Sequence, residues 1–221
     1  FVAETDYSGV GVCMHETTND NSCLIHRGVK VRKMHSSRRD AFKSINSLPI
    51  ARVTKEKIEF IDKNYEKKDK TKKIELKNKF EKNIALVKIH PGQDDKEFKF
   101  YVTKFKGVVF EGTGLGHLPV TKLDVHTKHH KKILSILEKA TIPMFMTSQT
   151  INGRVDMDVY STGRDLQKAG VVGAEDMNSE CAFVKLGWVL AQTQDKEQVK
   201  KMMLTNYCGE ITECSKPNDN Y

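Results

Sequence analysis

The residues IALVKIHPGQDDKEFKFYVTKFKGVVF, numbers 84–110, encode a strand, a helix and a second strand in immediate succession. The run Ile84–Ile89 is apolar except for Lys88, which is typical of a strand buried on both faces. Residues 94–104 then carry apolar side chains at helical spacing, and Gly107–Phe110 is apolar again. Continuous apolar strands that alternate with helices predict a parallel sheet covered by helices on both faces.

The same alternation continues towards the carboxyl end of the chain. A long helix is predicted at residues 122–140, with Leu123, Ile133, Ile136 and Leu137 on its buried side. A third strand and two closing helices are predicted at Ile142–Met146, Asn178–Gln192 and Asp195–Asn206. Because parallel neighbours are joined by right-handed crossovers, these elements predict one α/β domain over residues 83–212, followed by a tail at 213–221.

The first 80 residues are patterned differently. Short apolar segments predict strands at Val10–Met14, Cys23–Ile25, Ile50–Val53 and Ile58–Ile61, the last two as a hairpin or extended arm. Residues 54–80 are dense in lysine and glutamate and have few apolar anchors, which is typical of a solvated arm. We therefore predict a first domain over residues 1–50 and an extended lysine-rich linker over residues 51–82.

The chain begins with Phe1 rather than methionine. Its first residues resemble the last turn of a helix that leads into the strand at Val10–Met14, and this strand has no earlier partner. We expect the first domain to be the carboxyl-terminal part of a longer α/β domain, so the chain is predicted to be a fragment.

The stretch HRGVKVRKMHSSRRDAFKSIN, residues 26–46, holds seven lysines and arginines against one aspartate, a net +6 out of +8 for the whole chain. Its alternation predicts a strand, and Ser36 and Ser37 predict the start of a helix that carries Ala41, Phe42 and Ile45. α/β proteins commonly bind ligands at such strand-to-helix junctions.

Lys33 is the candidate for chemistry at this junction. A lysine at the end of a strand can lie in a partly desolvated pocket, where its pKa falls and it can accept a proton. The alternative is a surface lysine in a basic strand.

Composition excludes several classes of protein. The chain has 221 residues, 38% of them hydrophobic and 30% charged, which is enough to bury a core. No apolar run reaches the roughly 18 residues that a membrane helix needs. Five scattered cysteines without a CxxC pair argue against a disulfide framework or a zinc site and predict a reduced, cytoplasmic protein. The excess of basic residues leaves an anionic partner such as nucleic acid open.

The glycine-rich loop GTGLGH, Gly112–His117, follows a predicted strand. It lacks the third glycine of a dinucleotide-binding fingerprint, and Pro119 delays the next helix. We therefore predict a loop that contacts a small ligand or a neighbouring subunit.

Two further motifs allow a functional and a structural interpretation. The three histidines at positions 126, 129 and 130 have spacings that suit a metal, but no carboxylate or cysteine completes the set, so surface histidines among lysines are favoured. The segment TSQT, Thr147–Thr150, could form a nucleophile loop, but without a neighbouring base it predicts turn and cap chemistry.

Four stretches together resemble the D subunits of archaeal glutamyl-tRNA(Gln) amidotransferases, a branch of the L-asparaginase-like amidohydrolases. They are HRGVKVRKMHSSRRDAFKSIN, FEKNIALVKIHPG, FKGVVFEGTGLGHLP and NGRVDMDVYSTGRDLQKAGVVGAEDMN. They occur in the family's order, and the similarity extends from about residue 9 to residue 212. The resemblance implies an asparaginase-like α/β fold, with a partial amino-terminal α/β domain and a smaller carboxyl-terminal domain whose parallel sheet is flanked by helices.

The resemblance also implies a mechanism. In this family a threonine attacks a side-chain amide and releases ammonia, and water then hydrolyses the acyl-enzyme. A second threonine, an aspartate and a lysine handle the protons. The family lysine stands in a K-x-x-[ST]-[ST] context, which identifies Lys33 rather than Lys30 as its counterpart. Related enzymes lend the glycine loop across a dimer interface and carry asparagine there, so His117 is the implied substrate contact and also a departure from the family pattern.

The nucleophilic threonine and the Thr-Asp pair of the family precede the point where this chain begins. The segment HETTNDN, residues 15–21, follows a later strand, so neither Thr17 nor Thr18 is predicted to be the nucleophile. We therefore expect the polypeptide as given to lack glutaminase activity.

The resemblance implies glutamine or asparagine as substrate, a homodimeric core and a partner E subunit that holds Glu-tRNA(Gln). ATP and magnesium are expected on that partner, and no cofactor is expected here. Two alternatives stay open at this point: a free-standing L-asparaginase and an inactive scaffold or binding module.

Overall fold

The structure is a computed structural model that describes residues 1–215, so the predicted tail at 213–221 lies outside the described residues from position 216 onwards. The chain divides into two compact units. Unit 1 consists of Phe1–Lys77 and the segment that begins at Tyr207, and unit 2 consists of Asn78–Asn206.

The described part of unit 1 is built from strands. They are β1 (Gly11–His15), β2 (Ser22–Arg27), β3 (Val31–Lys33), β4 (Phe42–Ser44), β5 (Ala51–Thr54) and β6 (Ile58–Phe60). Four of them form an antiparallel sheet in the order β1-β2-β5-β6, and β3 pairs with β4 in a separate hairpin. The predicted hairpin at positions 50–61 is thus confirmed, and the predicted linker at 51–82 begins with two strands of the sheet.

A small apolar core supports this sheet. Tyr7, Ile25, Ile50 and Ala51 are buried, and the rings of Phe1, Phe60 and Tyr65 pack around them. Phe60 and Tyr65 stack with their ring centroids 4.7 Å apart. Aromatic pairs of this kind add to the free energy gained by burying apolar surface.

The prediction of a helix after Ser36 and Ser37 is wrong, because residues 42–44 form strand β4. Their backbone pairs with β3 in antiparallel register, so pairing with a neighbouring strand overrides the local pattern. The two serines do not cap a helix. Instead, the Nδ1 atom of His35 accepts hydrogen bonds from the backbone N–H groups of Ser37 and Arg38, and these bonds shape the turn between the strands.

Unit 2 is an α/β unit. Its strands are β7 (Ile84–Lys88), β8 (Gly107–Gly112), β9 (Met144–Ser148) and β10 (Val171–Gly173). Its helices are α1 (Asp95–Lys104), α2 (Lys128–Glu138), α3 (Ser161–Lys168), α4 (Ser179–Leu190) and α5 (Lys196–Met203). All strand pairs are parallel, in the order β10-β9-β8-β7, which confirms the predicted parallel sheet with helices.

The core of unit 2 explains why the apolar runs form strands. Every residue of β8 is buried, and β9 is buried except at its last residue. Phe98 of α1 and the α2 residues Ile133 and Leu137 belong to the same core. A sheet that is covered in this way needs apolar side chains at consecutive positions rather than at alternate ones.

The helix predicted at residues 122–140 is shorter in the structure, because α2 begins only at Lys128. The Asp124 carboxylate accepts hydrogen bonds from the N–H groups of His126 and Thr127, and the Thr127 hydroxyl oxygen accepts from the N–H of Asp124. Such side-chain bonds compete with helix formation. Leu123, predicted to be buried, is 82% exposed.

Helix α3 and strand β10 were not predicted. The sequence of α3, STGRDLQK, is mostly polar, and Gly163 and Leu166 are its buried residues. With Leu166 as its one large apolar side chain, the segment gives a weak apolar signal for a helix. Among residues 1–215, no helix is both long and apolar enough to cross a bilayer.

Candidate functional site

The β3–β4 hairpin determines the position of Lys33. Lys33 is the last residue of β3 and lies opposite Phe42 of β4. Its side chain is exposed, whereas its place in the sequence suggests a partly desolvated pocket. The ammonium nitrogen lies 5.9 Å from the centroid of the Phe42 ring, which is within the range of a cation–π contact. No carboxylate among the described residues pairs with it.

Lys30 is the lysine that is buried, with no exposed surface. It lies in the turn between β2 and β3, where its backbone N–H donates to the Arg27 carbonyl and its own carbonyl accepts from Ile45. The alternating pattern groups Lys30 with Arg32 and Lys33 on one basic face. In the structure Lys33 is exposed to solvent and Lys30 is not.

His26 connects the hairpin to the main sheet. It is fully buried on β2, and its Nδ1 atom is 2.8 Å from the hydroxyl oxygen of Ser44 on β4. Burial lowers the pKa of His26 to about 4, and the nearby positive charge of Lys43 contributes to the shift. The Nε2 atom is buried and has no hydrogen-bond partner among the described residues. The imidazole is therefore neutral at neutral pH.

Acidic side chains neutralise part of the basic hairpin. Arg38 donates two hydrogen bonds of 2.8 Å to the Asp40 carboxylate, and Lys43 lies 3.8 Å from the same group. The bonds from Arg38 hold the pKa of Asp40 below its ordinary value. Arg39 contacts Asp20 in the same way. Within the described part of the chain, Lys33 thus has no acidic partner, on a hairpin where several other charges are compensated.

In unit 2 the glycine-rich loop leaves the carboxyl end of β8. Thr113 and His117 exchange two backbone hydrogen bonds, of 3.2 and 3.0 Å, which close the loop. A Cβ atom at Gly112 would lie 2.6 Å from the Met146 sulfur, and one at Gly116 would lie 2.9 Å from the Met146 Cγ. A side chain at either glycine would therefore force Met146 to shift, and the loop lies tightly against β9.

This loop presents the side chain of His117. The imidazole packs edge-on against Tyr160, with the ring centroids 5.3 Å apart. Its Nε2 atom is buried and lacks a hydrogen-bond partner among the described residues. A buried polar nitrogen without a partner is uncommon, because desolvating it without compensation is costly. One ring nitrogen of His117 is therefore left without a hydrogen bond to any described residue.

The TSQT segment is occupied by structural hydrogen bonds. The Ser148 hydroxyl donates to the Gly114 carbonyl at 2.5 Å and lies 2.6 Å from the Thr150 hydroxyl. The Gln149 amide donates to the Glu111 carbonyl at 2.9 Å. This confirms the prediction of turn chemistry, and these bonds attach the end of β9 to the glycine loop.

Charged groups that the sequence pattern does not reveal lie near the same edge of the sheet. Glu111 is buried at the end of β8 and pairs with Lys88 on β7 at 3.4 Å. Arg154 lies 3.3 Å from Glu175, which has a φ of 59°. A glutamate with positive φ is strained. Lys88 and Glu111 lie opposite each other near the carboxyl ends of β7 and β8. The pairing could be predicted from the sequence only through the parallel alignment of these two strands.

The two residues assigned by resemblance lie in different units, Lys33 in unit 1 and His117 in unit 2. The rings of His129 and His130 are 4.5 Å apart. Nowhere in the described part of the chain do three or more His, Cys, Asp or Glu side chains form a group that could hold a metal ion.

Comparison with protein families assigns both units. The Glutaminase/Asparaginase C-terminal domain matches residues 83–203, and the amino-terminal Asparaginase domain matches residues 1–66. The chain therefore belongs to the glutaminase/asparaginase family.

Within that family the chain is similar to one group of curated proteins. It is 50% identical over 216 residues to the D subunit of the glutamyl-tRNA(Gln) amidotransferase of Pyrococcus abyssi, covering 96% of this chain and 47% of the relative. It is 46% identical over 212 residues to the same protein of Methanothermobacter thermautotrophicus, again covering 96% and 47%. The chain thus spans about half the length of the curated relatives it matches.

Solved structures share the fold. The thermostable L-asparaginase from Thermococcus kodakarensis superimposes with a TM-score of 0.77 and 29% identity, covering 92% of this chain and 57% of that chain. L-asparaginase I from Vibrio cholerae superimposes with a TM-score of 0.74 and 24% identity, covering 94% and 59%. The second comparison supports the fold alone.

Proposed function

We propose that this chain is part of an amidohydrolase subunit that releases ammonia from glutamine, so that a partner subunit can convert Glu-tRNA(Gln) to Gln-tRNA(Gln). The observation that carries the proposal is the similarity to amidotransferase D subunits, which reaches 50% identity over 96% of the chain. Identity to the Thermococcus L-asparaginase is 29%. The amidotransferase role is therefore favoured over a free-standing asparaginase.

Lys33 is the catalytic residue of the proposal. The nucleophilic threonine and its Thr-Asp partners would come from the part of the longer parent that precedes this chain. The oxygen of the nucleophilic threonine would bond to the amide carbon while the C–N bond breaks, and the proton of the attacking hydroxyl would leave with the nitrogen as ammonia. The lysine ammonium would polarise or relay the proton of the paired second threonine that supports this attack. The K-x-x-[ST]-[ST] context of Lys33, which matches that of the family's lysine, supports this role; the exposed ammonium at the end of β3 has no carboxylate partner among the described residues.

His117 is the proposed substrate contact from the glycine loop of a second copy in a homodimeric core. The buried Nε2 atom, which has no partner in the described part of the chain, supports this role. We propose a cytoplasmic complex with an E-type subunit that holds the tRNA. ATP and magnesium would bind that partner, and glutamine or asparagine would be hydrolysed without a cofactor in this subunit.

The test is glutamine hydrolysis by the full-length parent in complex with its partner, compared with a Lys33→Ala version. General acid–base groups typically contribute 10²–10⁴-fold, so we expect the rate to fall by roughly 100-fold or more while the circular dichroism spectrum stays the same.

Lys55→Ala is the matched control, because Lys55 is also an exposed lysine of unit 1. It should retain the parental rate. Equal rates from the Lys33→Ala and parental proteins would remove Lys33 from the mechanism. A full-length protein that hydrolyses asparagine and binds no E-type partner would replace the amidotransferase role with that of a free-standing asparaginase.

A further inference from the structure

The segment KLDVHTKHHKK, residues 122–132, forms a strongly charged surface that the proposed glutaminase chemistry does not use. Its lysines are exposed, and none of them forms an ion pair with a described residue. We call them the lysine face: Lys122, Lys128, Lys131 and Lys132. Some other lysines of unit 2 pair with a nearby acid, as Lys88 does with Glu111 and Lys106 with Glu81.

Asp124 is the single acid of this segment, and its charge is directed towards its own backbone. Its carboxylate accepts from the N–H groups of His126 and Thr127 at 2.8 and 3.0 Å and from the Thr127 hydroxyl at 3.1 Å. The bonds from Thr127 hold the pKa of Asp124 below its ordinary value. The carboxylate is thus committed to the turn and is not available to the lysines.

The charged residues in the first turn of helix α2 are placed unfavourably with respect to the helix dipole. Its first turn contains Lys128 and two histidines and no acidic residue, its last turn contains no basic residue, and Thr127 makes no capping bond with its side chain. The amino-terminal end of a helix is electropositive and favours acids, whereas the carboxyl-terminal end favours bases. Cations in the first turn therefore destabilise the free helix.

Helix α1 shows the usual arrangement in the same unit. Asp94 caps it, Asp95 and Glu97 lie in its first turn, and Lys104 lies in its last turn. The first turn of α2 thus carries cations where that of α1 carries acids, whereas the carboxyl-terminal end of α2 follows the rule with Lys139 as its C-cap. The cations at the amino-terminal end of α2 therefore require a separate reason, and an anionic partner at that end supplies one.

The lysines of α2 also share one side of the helix. Lys128, Lys131 and Lys132 are spaced i, i+3 and i+4, so their side chains are neighbours on the helix surface. The buried side is formed by Ile133 and Leu137, which leaves the lysines in solvent. Like charges at these spacings repel one another, and a polyanion would relieve that repulsion.

We propose that the lysine face binds the phosphate backbone of an RNA, the tRNA substrate of the complex; this inference rests on the proposed function. Lysine ammonium groups contact phosphates as point charges without reading bases. Protein–protein interfaces are depleted of lysine, which favours RNA over an acidic protein surface. The exposed side chains of Leu123 and Val125 beside the lysines would suit a protein partner, so that alternative is an outcome of the test.

The experiment measures binding of a tRNA(Gln) transcript to the full-length complex by fluorescence anisotropy over a series of salt concentrations. The test variant is K128Q/K131Q/K132Q. We expect several-fold weaker binding at about 0.1 M salt and a plot of log K against log salt that is less steep by roughly one for each lysine that contacts a phosphate. Glutamine hydrolysis without RNA should be unchanged, because the variant leaves Lys33 and His117 intact.

The matched control is K96Q/K99Q/K104Q on α1, which removes the same charge from exposed lysines of the same unit. It should keep the parental affinity and slope. The inference is overturned if the lysine-face variant binds RNA like the control, or if it loses the partner subunit in gel filtration while its salt slope stays parental. A parental complex that hydrolyses glutamine but binds no tRNA overturns the inference together with the amidotransferase role. Glutamine hydrolysis tests the enzymatic part separately.

Discussion

His26 is an ionisable residue in a fully buried site. It is fully buried on β2, bonded through Nδ1 to Ser44, and close enough to Lys43 for that charge to act on it. Only the neutral imidazole is compatible with this site, because burial disfavours the charged form. The hairpin that carries Lys33 is therefore attached to the main sheet by a bond that depends on the protonation state of one histidine.

This environment predicts a specific dependence of stability on pH. The pKa of His26 is about 4 in the folded chain and 6.5 ordinarily, so the unfolded state binds more protons between these values. Stability from this group is complete above pH 6.5 and is lost as pH falls towards about 4. At 1.36 kcal/mol per pKa unit, the free energy of unfolding should fall by up to about 3 kcal/mol over this range.

Denaturant unfolding at a series of pH values measures this effect, with His26→Gln as the test and His126→Gln as the control. His126 is exposed, so its replacement should leave the pH dependence of the free energy of unfolding as it is. His26→Gln should flatten that dependence between pH 6.5 and about 4. A slope that persists in His26→Gln would assign the acid sensitivity to other groups.

At the scale of elements, buried strands are the part of the fold that the sequence predicts best. Ile84–Lys88 and Gly107–Gly112 are apolar at nearly every position. Short runs of consecutive apolar residues are typical of parallel strands whose two faces are both covered. Residues 42–44 were predicted as helix because the local pattern of residues 41–45 is helical. These residues form a strand because their backbone pairs with β3. The sequence of residues 41–45 alone carries no sign of that partner.

The candidate site was predictable only in part. The glycine loop after β8 is visible in the sequence, because Gly112 and Gly116 are required where a chain must lie close to its neighbour. The contact between His117 and Tyr160 joins residues from separate elements, so no spacing rule finds it. The position of Lys33 at the end of a strand made it a candidate, and the resemblance singled it out, since an exposed lysine on a hairpin edge resembles many surface lysines.

The glycine loop yields a prediction about packing. Gly116 and Gly153 have nearly the same φ, 101° and 99°, but a Cβ atom at Gly116 would lie 2.9 Å from Met146 and 3.2 Å from Val155, whereas at Gly153 it would meet nothing within 4 Å. Alanine at either position carries the strain of positive φ, which exceeds about 1 kcal/mol. Gly116→Ala should cost about 1–3 kcal/mol more, because it also overpacks the core.

Thermal or urea unfolding of the two variants separates the cost of backbone strain from the cost of overpacking, because Gly153→Ala carries the strain alone. The difference between them measures how tightly the loop lies against β9. Equal free energies of unfolding for Gly116→Ala and Gly153→Ala would mean that the loop moves away from Met146 without loss, and the loop would then not be rigidly held.

At the scale of the whole molecule, the two units differ in how the chain builds them. Unit 2 is one continuous segment, residues 78–206, with a core that spans its sheet and helices. Unit 1 is completed by the returning segment that begins at Tyr207. In that segment the Glu210 carboxylate is buried and accepts hydrogen bonds from the backbone N–H groups of Tyr207 and Cys208, at 3.1 and 2.8 Å.

A continuous segment with its own core predicts that residues 78–206 fold alone. Leu137→Ala tests this, because Leu137 is fully buried in the core of unit 2 and its truncation should lower the free energy of unfolding by about 2–5 kcal/mol. If the unit is autonomous, the loss is the same in residues 78–206 as in the complete chain, since the side chains around position 137 are the same. Leu123→Ala is the matched control, with an expected effect within about 0.5 kcal/mol, because Leu123 is 82% exposed. A segment 78–206 that lacks a cooperative unfolding transition, or a smaller Leu137→Ala effect there than in the complete chain, would show that the core needs unit 1 to reach its native packing.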